Sequence, residues 1–181
     1  MSSYYYLLAA LPCLSYDGQA PLLLDEFLGF VQTQVDEHTL KIIKSSSLLN
    51  LDLRQRAHPF FRRYQLWEIS LRHSLALLRA QALKREAEPY LRGLTLQTAA
   101  FSLARQAWQA ADPLTAELIL GRGRFQFLSD LEVGYQFSLV NLISYRLKLE
   151  ILVRKDHFKE GLGQAKLIRL GQELFEGLFG S

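Results

Sequence analysis

The stretch from Pro59 to Glu86, "PFFRRYQLWEISLRHSLALLRAQALKRE", contains no second proline and no glycine, and it constrains the fold more than any other part of the chain. Pro59 has the fixed φ and the missing N–H that suit the first position of a helix. Stepped at about 100° per residue, Phe60, Tyr64, Trp67, Leu71, Leu75, Leu78 and Ala82 fall in one stripe. Leu66, Ile69, Leu77 and Leu83 lie on the far side. A long helix that is apolar on two faces is covered on both, by its own chain or by a partner. A long central helix over about residues 59–86 is therefore expected.

The rest of the chain reads as shorter helices between turns. Asp25 is placed to cap a helix from Glu26 to about Gln34, and Asp36 to cap a second through "EHTLKIIKSSSL", with Ser45 to Ser47 and Asn50 weakening any continuation. "GLTLQTAAFSLARQAWQAAD" predicts a helix that begins near Thr95 and stops by Pro113. "PLTAELILGRGRFQFLSDLE" predicts a shorter or broken one, since Gly121 and Gly123 each cost about 1 kcal/mol inside a helix. Ser138 is placed to cap "LVNLISYRLKLEILVRKDHF", whose polar stripe is only Asn141, Ser144 and Lys148, so this helix is expected at the centre. Gly161 and Gly163 break the chain before a last amphipathic helix, with Leu167, Leu170, Leu174 and Leu178 on one face and Arg169, Glu173 and Glu176 away from it. No strand pattern of comparable length occurs. The expected fold is all-α, one helical domain over residues 1–181 with about six to seven helices.

The opening "SSYYYLLAALPCL" lacks the charged region of a secretion signal, because no Lys or Arg precedes Lys41. Its apolar run is also far shorter than the roughly 20 residues that span a bilayer. It reads as a short buried first element, strand or helix, whose phenol groups find hydrogen-bond partners. Cys13 then serves as a small apolar filler. A single cysteine makes no internal disulfide, so nothing asks for an oxidising compartment and the expected location is the cytoplasm.

Charge is segregated along the chain. Residues 1–53 carry two Lys against six acids, whereas residues 54–92 carry nine Lys or Arg against Glu68, Glu86 and Glu88. Clustered arginine with tyrosine and tryptophan is how many proteins grip nucleic acid. On the helical wheel, however, Arg62, Arg63, Arg72, Arg79, Lys84 and Arg85 scatter around the flanks of the two apolar stripes rather than forming one face. Solvated flanks are the first reading of this segment, and a helical regulator binding nucleic acid through residues 54–92 is the second.

The spacings that carry catalysis are missing from the sequence. His38, His58, His73 and His157 never stand three or four residues apart, and one cysteine makes no thiolate pair, so no metal is expected. "GRGRF" and "GLGQAK" lack the preceding strand and the Gly-Lys-Ser/Thr ending of a phosphate loop, and read as helix breaks. No G-x-S-x-G elbow occurs. A small-ligand enzyme with its pocket between helices is a third reading, and no cofactor is expected. Arg146 stands among Leu139, Leu142, Ile143, Leu149 and Val153, with Glu150 four residues on. It reads either as a paired structural arginine or as one aimed at a partner's carboxylate or backbone carbonyls.

Three stretches, "YYYLLAALPCL", "WEISLRHSLALLRA" and "DPLTAELILGRGRFQFLSDLEVGYQFSLVNLISYRLKLEIL", resemble an uncharacterised bacterial family encoded beside V-type ATPase subunits, whose members begin Tyr-Tyr-Tyr-Leu. Residues 113–155 are also similar, more distantly, to the helical repeat of the C-type subunit of archaeal and bacterial V-type ATPases, whose eukaryotic counterpart is the d-type subunit. Glu117, Phe125 and Leu128 follow the first part of that repeat, and Ser138, Asn141, Leu142 and Arg146 the second. Gly121 or Arg122 stands where the repeat has an Asp, and Ser138 replaces its capping Asp, a role Ser also fills. A full C-type subunit is longer and holds several such repeats, so the resemblance implies a reduced version. It implies a non-catalytic helical adaptor that seats the central shaft of a rotary ATPase on its membrane ring, or assists that assembly. Its partners would be the V-type ATPase rotor subunits, and it would lie peripherally on the cytoplasmic face of the membrane through them, with no direct contact to nucleic acid. The partner-facing candidates are Arg62, Arg63, Trp67, Arg72 and Arg79 on the long helix, Arg124 and Phe125 in the helix after Pro113, and Asn141 and Arg146 in the helix that follows.

Overall fold

A computed structural model describes residues 4–54, 56–85 and 97–159. Among them the chain forms seven helices and no strand: α1 (Tyr5–Ala10), α2 (Leu24–Gln32), α3 (Glu37–Ser45), α4 (Pro59–Ala82), α5 (Thr98–Trp108), α6 (Pro113–Leu131) and α7 (Leu139–Lys159). The predicted helix over residues 167–178, with Gly161 and Gly163 before it, lies outside the described residues.

Helix starts follow local chemistry. Pro59 opens α4, and the His58 Nδ1 accepts the Phe60 N–H at 3.3 Å. Asp36 caps α3, taking both the N–H and the hydroxyl of Thr39 at 2.9 and 2.6 Å, and Asp112 does the same for α6 through Thr115. At α2 the cap is not Asp25: Leu23 occupies the cap position, and the Glu26 carboxylate reaches back to its N–H at 2.6 Å. Leucine has no side-chain acceptor, so the first turn is closed by Glu26, as in half of a capping box. At α7 the expected bond also runs the other way. The Asn141 side-chain oxygen accepts from the Ser138 N–H and hydroxyl, and its amide donates to the Tyr135 carbonyl.

α4 ends at Ala82, four residues before the predicted Glu86. Lys84 takes a left-handed φ of +52°, its N–H donates to the Gln81 carbonyl, and the Arg85 N–H donates to the Ala80 carbonyl at 2.9 Å. This closure satisfies carbonyls the last turn leaves open, and it normally uses glycine. α6 departs in the opposite sense. It runs unbroken through Gly121 and Gly123, which serve close approach instead of a break. A Cβ at Gly121 would lie 2.7 Å from the Tyr16 hydroxyl oxygen, and one at Gly123 would overlap the Leu103 methyls.

α7 occupies the centre, as its sparse polar stripe suggested. Leu142, Ile143, Leu147, Leu149 and Leu152 are fully enclosed, and Ser144 and Lys148 of that stripe are buried with them. α2, α3 and α6 pack against it, and α5 packs against both α4 and α6. The first stripe of α4 enters the core through Phe60, Tyr64, Trp67 and Leu71; its C-terminal end, with Ala82 and Leu83, is exposed. The N-terminal element is a helix rather than a strand, and it buries only Leu7. Tyr5 is half exposed and Tyr6 is 85% exposed, while the Tyr4 and Thr39 hydroxyls share a bond at 3.4 Å. Cys13 lies on the surface and fills no core space, because the segment around it runs outside the helices.

Candidate functional site

α7 holds the N-terminal third of the chain with ionic and polar side chains, which its apolar surroundings make strong. Arg146 Nη1 donates to the carbonyls of Ile43, at 2.9 Å, and Ser46, so it closes the C-terminus of α3. Glu150 accepts the Ser47 hydroxyl at 2.7 Å and the Leu48 N–H at 3.1 Å. The i,i+4 pair expected between Arg146 and Glu150 is thus replaced by two grips on one loop. Burial pulls Arg146 below the usual guanidinium value, an effect the Glu150 charge opposes. Further along, the Lys155 ammonium, 3% exposed, donates to the Tyr16 and Gly18 carbonyls, and Asp156 accepts the Ala20 N–H at 2.7 Å. Tyr145 donates to the Pro12 carbonyl at 3.0 Å and stacks on Phe27; burial pushes its phenol up to about 12. Lys148 pairs with Glu132.

A second ionic centre joins α4 to α6. Glu68, 1% exposed, accepts from Arg124 through Nε at 2.8 Å and Nη2 at 2.9 Å, and from Arg72 Nε at 2.9 Å. Burial lowers Arg124, but the hydrogen bonds and charge of Glu68 outweigh it and leave the guanidinium above its ordinary value. One turn away the buried Tyr64 hydroxyl has no hydrogen-bond partner among the described residues; burial, then the Glu68 charge, raise its pKa well above the phenol range. Trp67 is stacked face to face on Phe127 at 4.2 Å.

The nine partner-facing candidates therefore do not share one surface. Trp67 and Arg146 are committed to the interior, the half-buried Arg124 to Glu68, and Asn141 to the start of α7. Phe125 meets the Tyr16 ring edge-on at 5.8 Å and lies under the Lys148 ammonium. Arg72 is half exposed and tethered to Glu68. Arg63 and Arg79 are exposed and Arg62 half-buried on α4. Sequence reasoning passed over the roles of Glu68 and Lys155, and named Glu150 only as a partner for Arg146 and Lys148 only as part of a polar stripe. The four-residue step from Glu68 to Arg72 was a usable signal, as was a lysine set among leucines at 148.

The exposed apolar side chains of one end come together instead. Tyr5 lies 4.6 Å from Phe137, and the Phe137 carbonyl accepts the Tyr4 N–H at 3.0 Å. Phe137 itself has a left-handed φ of +50°, a rare conformation for an aromatic residue. Tyr6, Val133 and Tyr135 are also exposed on these segments. Among the described residues no group of three His, Cys, Asp or Glu side chains is close enough to hold a metal ion, and no helix is long and apolar enough to cross a membrane. Compared with family models, with curated proteins and with solved structures, the chain has no match.

Proposed function

We propose that this chain is a non-catalytic accessory of a V-type ATPase, a reduced relative of the C-type subunit that acts as an adaptor between the central shaft and the membrane rotor ring or assists its assembly. It would reach the cytoplasmic face of the membrane through those protein partners. The observation that supports this reading is where two of the resembling stretches meet. The opening "YYYL" and the α6–α7 segment, far apart in sequence, join at Tyr4, Tyr5 and Phe137 and leave Tyr5, Tyr6, Tyr135 and Phe137 exposed together. Tyrosine and phenylalanine are the side chains that dominate protein interfaces, and an exposed aromatic cluster is a natural docking surface. The ionic side chains of α7 serve the chain's own loops, which suits a rigid spacer.

The test is affinity capture of the tagged protein from its own cells in gentle detergent, with mass spectrometry of what accompanies it. Stoichiometric shaft or ring subunits are expected with the wild type. Tyr6→Ser, at a position too exposed to affect folding, is expected to reduce their recovery. Absence of every V-type ATPase subunit from the wild-type sample would end the proposal.

A further inference from the structure

α4, α6 and α7 meet around a cleft in which charge does not balance. Arg72, Arg124, Arg154 and Lys155 line it with two carboxylates, Glu68 and Glu117; Lys155 has Asp156 beside it at 3.8 Å, which leaves a surplus of one positive charge. Glu68 is fully engaged, with three N–H bonds at 2.8–2.9 Å from Arg72 and Arg124. Glu117 stands 3.7 Å from the Arg154 guanidinium, an ion pair longer than a hydrogen bond. Lys155 turns its ammonium to the Tyr16 and Gly18 carbonyls. Both Nη groups of Arg72, Nη1 of Arg124 and the Arg154 guanidinium make no hydrogen bond to another described residue.

Planar guanidinium forks with spare donors, partly withdrawn from water, match one ligand chemistry best: the planar carboxylate, which accepts two parallel N–H bonds. The geometry points to a carboxylate-binding site between Arg72, Arg124 and Arg154, next to Glu68. All three arginines stand on helices, which fixes them better than loops would. Arg72 and Arg154 are half exposed, so the site is open to solvent from their side. This inference does not depend on the V-type ATPase reading. The carboxylate belongs either to a free small acid or to an acidic side chain of another protein.

The experiment follows the arginine Nε–H resonances of the ¹⁵N-labelled full chain during titration with sodium acetate, against sodium chloride at equal ionic strength. Acetate is expected to shift Arg72 and Arg154 saturably, and chloride is not. Arg154→Gln is expected to weaken the apparent affinity by about tenfold or more, the effect of losing a charge-assisted hydrogen bond. Glu117→Gln is expected to tighten it, because a competing carboxylate leaves Arg154; a role confined to folding would not give opposite signs. A short blocked glutamate peptide that binds more tightly than acetate assigns the site to a protein side chain, and equal binding assigns it to a free acid. No saturable shift, or the same shifts with chloride, overturns the inference.

Discussion

Arg146 donates to the carbonyls of Ile43, which also accepts the Ser46 N–H, and of Ser46 just past the end of α3, and it does so at 6% exposure, where water is a poor substitute. Arg146→Ala should therefore cost about 2–3 kcal/mol, the range for stranding buried polar groups, read as a lower urea midpoint with unchanged slope. Arg146→Lys keeps one donor and should recover part of that loss. Glu68 is the opposite case, an anion shared by two cations. Glu68→Ala leaves the half-buried Arg124 without its counter-ion and should cost about 3–5 kcal/mol. Replacing both by apolar residues, as in Glu68→Met with Arg124→Leu, should restore much of the stability, since a buried ion pair contributes little net once desolvation is included. Thermal melts of the single and double variants decide between these signs.

At the scale of helices, glycine and histidine give contrasting tests. Gly121→Ala gains about 1 kcal/mol of helix propensity, yet the new Cβ meets the Tyr16 hydroxyl, which donates to the Leu118 carbonyl at 2.7 Å. The expected net is a destabilisation of about 1–2 kcal/mol, which should vanish in a Tyr16→Phe background, where the overlapping oxygen is gone. At the start of α4, burial lowers the pKa of His58, so the unfolded chain takes up that proton first. Stability should fall as pH drops below the unfolded value of about 6.5, as the acceptor for the Phe60 N–H becomes a second donor. His58→Asn, which keeps an acceptor, should flatten that part of the pH profile. Helix starts such as Pro59 and Asp36 were legible in the sequence because their chemistry spans a few residues. The end of α4 was not, since nothing in a lysine announces a left-handed φ. Nor was the true role of Gly121, which is set by a tyrosine on another segment. The same distance limit hid the site: Glu68 and Arg72 are neighbours by spacing, whereas Arg124 reaches Glu68 only through the fold.

For the whole molecule, the central helix comes last among the described elements and fixes segments that come first. Ile43, Ser46, Ser47 and Leu48 are held from Arg146 and Glu150, and Tyr16, Gly18 and Ala20 from Lys155 and Asp156. The candidate docking end obeys the same logic, since Tyr4 and Tyr5 find their place only against Phe137. These contacts bridge 100 to 139 positions. On a ribosome, at about 5–20 residues per second, the first three helices would then wait on the order of ten seconds for the residues that fasten them. During that interval the apolar faces that meet α7 have no cover, so a nascent chain stalled before Leu139 should bind chaperones, and the released full chain should not.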